Sequence, residues 1–217
     1  MDRINESKCL SRFIEALMAG DCSRVVGEIH DLLEKGVDRE IIIVDGIEKA
    51  LELLDAKCTV EEFNLLEIML VGRAAMAAMK AIYPQDAGSH ADKGAVVIAT
   101  LEGDVHDIGK NIVKMILSWR GYRVVDCGKD CPVKLLIDTA EKVQPLAVFI
   151  SGLITTVFPL VSRVKESLVA RGFGDVAVVA GGAALKQLTA TQLQVDYVAE
   201  DVFGSLRFLE NRVGAGQ

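Results

Sequence analysis

Polar and apolar positions divide the chain into two stretches of different period. From Glu6 to Tyr83 apolar residues recur at three- and four-residue spacing without strand-like alternation. This predicts four helices, near Glu6–Met18, Cys22–Lys35, Arg39–Ala56 and Val60–Tyr83. Gly20-Asp21, Gly36-Val37-Asp38 and Lys57-Cys58-Thr59 separate them. Asp21, Asp38 and Thr59 are N-cap candidates, and Thr59–Glu62 reads as a capping box. Breaks this short place successive helices antiparallel, so a four-helix bundle is expected. The last helix is small and soft-sided, with Met69, Gly72, Ala74, Ala75, Met76, Ala77, Ala78 and Met79. Such a face suits close helix packing with Met filling gaps, or a surface that lies on a large flat ligand and moves off it.

Pro84–Lys93 is polar, contains Pro and Gly, and has no period. It marks a boundary between residues 1–88 and 89–217. Beyond it strands alternate with helices. Strands are expected near Ala95–Leu101, Arg123–Asp126, Leu146–Ser151, Val176–Ala180 and Tyr197–Ala199. Helices are expected near Ile108–Trp119 (ending at Gly121), Val133–Val143, Phe158–Arg171, Leu185–Thr191 and Val202–Val213. The alternation predicts an α/β domain with a doubly wound, five-stranded parallel sheet of flavodoxin-like (Rossmann-like) order 2-1-3-4-5. In that order the turns after strands 1, 3 and 4 open beside the switch point, where such sheets bind ligands.

Composition narrows the class. The 217 residues are 51% hydrophobic and 25% charged, which is globular and excludes a disordered chain. No apolar run reaches the roughly 18 residues of a membrane span, and the start lacks the pattern of a signal peptide. A cytoplasmic protein is expected. The net charge is −7, and all of it sits in the first half: residues 1–90 carry 17 acids and 10 Lys or Arg, residues 91–217 carry 14 of each. That balance disfavours nucleic acid and fits either a solvated helical surface or an acidic face for a basic partner. Of five cysteines none forms a Cys-x-x-Cys pair. Cys127 and Cys131 flank a Gly-Lys-Asp turn and read as reduced structural thiols, a metal or disulfide role being the alternative. His30 and His90 read as surface residues.

The chemistry concentrates at Leu101–Asn111, L-E-G-D-V-H-D-I-G-K-N, on the turn leaving the first strand of the sheet. His106 offers an imidazole ligand, Asp104 a carboxylate to orient it, and Gly109 a close backbone approach. Asp104 also reads as an N-cap of the following helix. Asp104-Val-His106-Asp-Ile-Gly109 resembles the Asp-x-His-x-x-Gly signature of cobalamin-binding domains of the methionine synthase and corrinoid methyltransferase type. Ser151-Gly152-Leu153 matches that family's Ser-x-Leu, and Gly181-Gly182 its later Gly-Gly; each motif follows an expected strand.

The resemblance implies cobalamin or a related corrinoid, with His106 replacing its benzimidazole as lower ligand to cobalt. Asp104 would tune the imidazole. Gly109, Ser151, Leu153, Gly181 and Gly182 would line the slot for the displaced nucleotide tail. The family often carries a hydroxyl six residues after the Ser, where this chain has Val157; Thr155 or Thr156 is the candidate replacement. The bundle resembles the N-terminal domain of stand-alone corrinoid components. The implied role is a carrier without a catalytic residue of its own, shuttling a methyl group through Co(I) and methyl-Co(III). Its expected partners are a substrate-specific methyltransferase, an acceptor methyltransferase (tetrahydrofolate or a thiol) and a reductive activase. A cobalamin-dependent sensor, or the small subunit of a cobalamin-dependent isomerase, is the alternative. A sensor is expected to carry a DNA-binding segment, for which the residues before the first helix leave no room; an isomerase needs a substrate barrel.

Overall fold

The computed structural model describes residues 3–57, 65–84 and 93–214. The chain forms two compact units, Met1–Asp86 and Ala87–Gln217. Cys58, the Thr59 capping box, His90 and most of the Pro84–Lys93 boundary lie outside the described residues.

The first unit is helical. Its elements are α1 (Arg3–Met18), α2 (Cys22–Glu34), α3 and α4 (Leu65–Ile82); α3 runs through Arg39–Ile41, a π-helical turn Ile42–Glu48, and Lys49–Lys57. α1 lies against the other three, and α2 also against α4. α2 turns Val25, Ile29 and Leu32 inward, the spacing that lines one helix face. Each such buried side chain contributes about 1.5–3 kcal/mol. Asp21 caps α2 by accepting from the Arg24 N–H at 3.0 Å, and Asp38 caps α3 through the Glu40 N–H at 2.7 Å. The π-helical turn holds Gly46, whose Cβ, if present, would lie 2.6 Å from Cε1 of Phe13. The α1 ring therefore rests directly on α3 backbone.

α4 buries Val71, Ala74, Ala75, Ala78, Met79 and Ile82 in this unit. Leu66, Met69, Arg73 and Lys80 are exposed on its other side. The expected methionine surface is therefore not continuous. Met79 shares the buried stripe of Ala75 and Ile82, Met76 is half-buried, and Met69 is exposed. The small residues of α4 serve close helix packing.

The second unit is a five-stranded parallel sheet of order β2-β1-β3-β4-β5, with β1 Ala95–Thr100, β2 Arg123–Asp126, β3 Ala147–Ser151, β4 Ala177–Gly181 and β5 Tyr197–Val198. The helices are α5 (Ile108–Trp119), α6 (Val133–Val143), α7 (Phe158–Ala170), the one-turn α8 (Ala190–Leu193) and α9 (Val202–Gly214). Val97, Ala99, Val148, Ile150, Val178 and Ala180 face one core with Leu136 and Ile137 of α6 and Val161, Val164 and Leu168 of α7. α5 and α9 pack together over the other side. Covered on both faces, the central strands are apolar throughout, as the continuous runs in the sequence require.

One expected helix divides. Leu185–Thr191 is a 3₁₀ turn, Leu185–Gln187, followed by extended Leu188 and then α8. Thr189 and Gln192 form a capping box, with Thr189 N donating to Gln192 Oε1 at 2.9 Å. Side-chain capping there starts a new helix instead of continuing the old one.

The register aligns the motif positions. Thr100 pairs with Ser151, and Ser151 with Gly181, so the carboxyl ends of the three central strands form one row. The loops carrying Asp104, Leu153 and Gly182 all leave from that row.

Candidate functional site

Asp104 lies in the β1–α5 loop with no exposed surface. Its Oδ1 accepts from the His106 N–H at 2.9 Å and from His106 Nδ1 at 2.7 Å, while Oδ2 accepts from the Leu153 N–H at 2.7 Å. It ties the β1 loop to the β3 loop and caps no helix; α5 begins after Asp107 without a side-chain cap. A carboxylate oxygen accepts only, so Nδ1 carries the proton of the neutral ring and Nε2 keeps its lone pair. The His106 side chain is 50% exposed, and its Nε2 bonds to nothing among the described residues. Thr100 Oγ1 donates to the His106 carbonyl at 3.1 Å, fixing the backbone as well.

The surroundings are apolar and open. Val105 and Leu153 are among the large exposed hydrophobic side chains. A Cβ on Gly109 would meet Ser151 Oγ at 3.7 Å and nothing else within 4 Å, so the glycine leaves a gap beside that hydroxyl. Gly181 is similarly free, with only Ala199 within 4 Å of its missing Cβ. Gly182 has a different reason to be glycine. Its φ is +104° and a Cβ would fall 2.5 Å from the Gly152 carbonyl oxygen, so the contact between the β3 and β4 loops requires it.

No hydroxyl bonds to Asp104 among the described residues. Thr155 and Thr156 are exposed on a 3₁₀ turn, and Val157 is buried in the core beneath it. The three N–H donors occupy the carboxylate instead.

Behind the loop stands a network that sequence reasoning missed. Lys110 is 2% exposed, and its Nζ donates to both oxygens of Asp126 at 2.8 Å and to Asn111 Oδ1 at 3.0 Å. Lys114 and the Gly128 N–H also bond to Asp126. Burial pushes the Asp126 carboxyl up, but the bonds from Lys110, Gly128 and Lys114 outweigh it and hold the carboxyl below its ordinary value. Asp130 completes the clamp: its N–H donates to the Asp104 carbonyl at 3.0 Å and its Oδ1 accepts from the Gly103 N–H at 2.8 Å. A charged residue in the first turn of α5 and an acid ending β2 were the only signals, and neither identifies its partner without the sheet register.

Among the described residues no three of His, Cys, Asp and Glu converge on one point. No cluster of protein ligands therefore surrounds the free Nε2 of His106 among the described residues. The fold and this site define a flavodoxin-like domain that offers one oriented imidazole at the switch point of a parallel sheet. The family model for the B12 binding domain matches residues 94–206. The chain belongs to the B12-binding domain family and binds a corrinoid.

Trimethylamine corrinoid protein of Methanosarcina barkeri is 28% identical over 204 residues, 92% of each chain. The structure of Methanosarcina barkeri monomethylamine corrinoid protein superposes with a TM-score of 0.79 at 24% identity, covering 94% of this chain and 98% of that one. The methanol:cobalamin methyltransferase complex of Methanosarcina barkeri matches with a TM-score of 0.54 at 25% identity, over 95% of this chain and 80% of that one. The residues fit the cofactor: a half-exposed imidazole with a free nitrogen, flanked by apolar side chains and by gaps at Gly109 and Gly181. Among the described residues no helix is long and apolar enough to cross a membrane.

Proposed function

We propose that this protein carries a methyl group between two methyltransferases on a corrinoid held by His106 Nε2. The observation that supports this most is the buried Asp104 carboxylate, which fixes the His106 ring through Nδ1 and leaves Nε2 pointing its lone pair outward. A bound corrinoid would supply the cobalt chemistry, accepting and releasing the methyl group at the metal. The chain's own part is to orient the imidazole, keep its proton on Nδ1, and receive the nucleotide tail. Gly109, Ser151, Leu153 and Gly181 would line that path, with Thr155 at its rim and Gly182 holding the two loops together.

In the same reading residues 89–217 bind the corrinoid and residues 1–88 act as a cap. Leu66 and Met69, exposed on α4, give the cap an apolar surface to lay on a flat macrocycle. Replacing both with Glu should speed aqueous oxidation of the reduced corrinoid several-fold; an unchanged rate would reject the cap. A reductive activase would restore the reduced state, working where such oxidation occurs, in the cytoplasm.

The likeness to trimethylamine corrinoid protein makes methylamine methyltransferases the first partners to test. With trideuterated trimethylamine and such an enzyme, the label should appear on corrinoid extracted from this protein. It should then pass to a thiol or tetrahydrofolate when an acceptor methyltransferase is added. Label that reaches acceptor equally well without this protein would overturn the shuttle.

A further inference from the structure

We propose that Cys127 and Cys131 form a redox-reactive dithiol that closes to a disulfide and so controls the loop holding Asp104 and His106. The second half of this proposal rests on the corrinoid reading; the first does not. The β1–β2 register ends with Ile98 opposite Asp126, and the Cys127 N–H donates to the Ile98 carbonyl at 2.9 Å. The Gly128 carbonyl still accepts from the Thr100 N–H at 3.0 Å; Lys129 and Asp130 then loop out, with positive φ at Gly128 (85°) and Asp130 (52°). Pairing resumes at Cys131, which bridges Leu101 and donates its N–H to the Thr100 carbonyl at 3.0 Å.

Cys127 therefore stands opposite Ala99, and Cys131 opposite Leu101. The two thiols are two strand positions apart on one face, packed against the same core. Two strand positions span ~6.6 Å between Cα atoms, inside the range a disulfide bridges. The looped-out turn lets that spacing adjust.

The pair is also chemically asymmetric. Cys127 is half-buried and Cys131 is 1% exposed. The neighbouring Cys131 thiol lowers the Cys127 pKa to about 7 against burial, with help from Thr139 and Lys110 and opposition from Asp126, while the Cys131 S–H itself donates to the Pro132 carbonyl at 3.6 Å. The neighbouring Cys127 sulfur and burial push Cys131 up. A reachable thiolate beside a buried, protonated thiol is an attacking and resolving pair.

With a low-molecular-weight disulfide, the Cys127 thiolate attacks one sulfur, the external S–S bond breaks, and one thiolate leaves. The Cys131 thiol gives its proton to solvent and its sulfur attacks Cys127 in the mixed disulfide. The second external thiolate leaves and the protein S–S bond forms. Two cysteine thiols are oxidised and one external disulfide is reduced to two thiols.

Closure pulls on the loop because Cys131 and Asp130 are its anchors. Cys131 also accepts from the Glu102 N–H at 2.9 Å, and Asp130 holds Gly103 and the Asp104 carbonyl. Drawing the two sulfurs to ~2.05 Å moves this segment, and Asp104 moves with it. The reduced form is then the one that holds His106 for corrinoid.

The test equilibrates the full chain in glutathione and glutathione disulfide, alkylates free thiols, and maps peptides by mass. Oxidising mixtures should give one peptide with Cys127 and Cys131 unalkylated and two hydrogens lighter; reducing mixtures should give both alkylated. Amide exchange at Gly103 and Asp104 should rise at least several-fold on oxidation, and not in Cys131→Ser. Oxidised chain should retain several-fold less hydroxocobalamin than reduced chain. A Cys127 mixed disulfide that never closes would overturn the proposal. So would a closed disulfide with unchanged exchange at Gly103 and Asp104. Failure to bind corrinoid in either redox state would strike the corrinoid reading, while exchange still judges the dithiol.

Discussion

Asp104 does two jobs with one carboxylate. It joins the β1 loop to the β3 loop through Leu153 and orients the imidazole through Nδ1. The sequence made His106 and its carboxylate partner legible, because their spacing and the preceding strand were visible locally. The Leu153 bond was not legible, since it spans 49 positions and depends on β1 lying beside β3. The same divide separates the glycines. Gly109 has room around it, so Gly109→Val should reduce corrinoid retention at least tenfold with little change in thermal stability. Gly182→Ala should instead destabilise the fold by about 2–4 kcal/mol, because positive φ and backbone overlap both oppose it. Urea denaturation and bound-cobalt assay on each variant separate the two effects. The reverse pattern would mean that the two roles have been exchanged.

Among the elements, the strands and most helices follow from periodicity because their burial is periodic: β1 is buried at every position and α2 at every third or fourth. The exceptions have particular causes. The π-helical turn of α3 accompanies a long-range contact, Phe13 on Gly46, that no local pattern encodes. α8 begins anew because Thr189 caps it. The Lys110–Asp126 pair fastens the first turn of α5 to the end of β2 and was likewise invisible before the register was known. Its carboxyl lies below its ordinary value in the folded chain, so it contributes stability above the unfolded pKa near 4 that is lost as pH falls through the folded pKa. Asp126→Asn leaves a buried Lys110 without its counter-charge and should cost about 3 kcal/mol at pH 7. Part of that difference from the parent should vanish below about pH 4, read from denaturant midpoints across pH. A difference that does not change with pH would show that the Asp126 charge is not what is lost.

For the whole molecule, the parallel order 2-1-3-4-5 brings three separate sequence motifs to one row of strand ends. The match to the B12 binding domain, over residues 94–206, includes that row. The single imidazole, with no other converging metal ligands among the described residues, makes a direct demand on spectroscopy. The protein should be grown with ¹⁵N-histidine, loaded with unlabelled cobalamin, and reduced to Co(II). Its EPR superhyperfine pattern should change from the three lines of ¹⁴N to the two of ¹⁵N, and this coupling should vanish in His106→Ala. A three-line pattern persisting in the labelled protein would mean that the cofactor's own benzimidazole remains on cobalt, contradicting the assignment of His106 as its lower ligand.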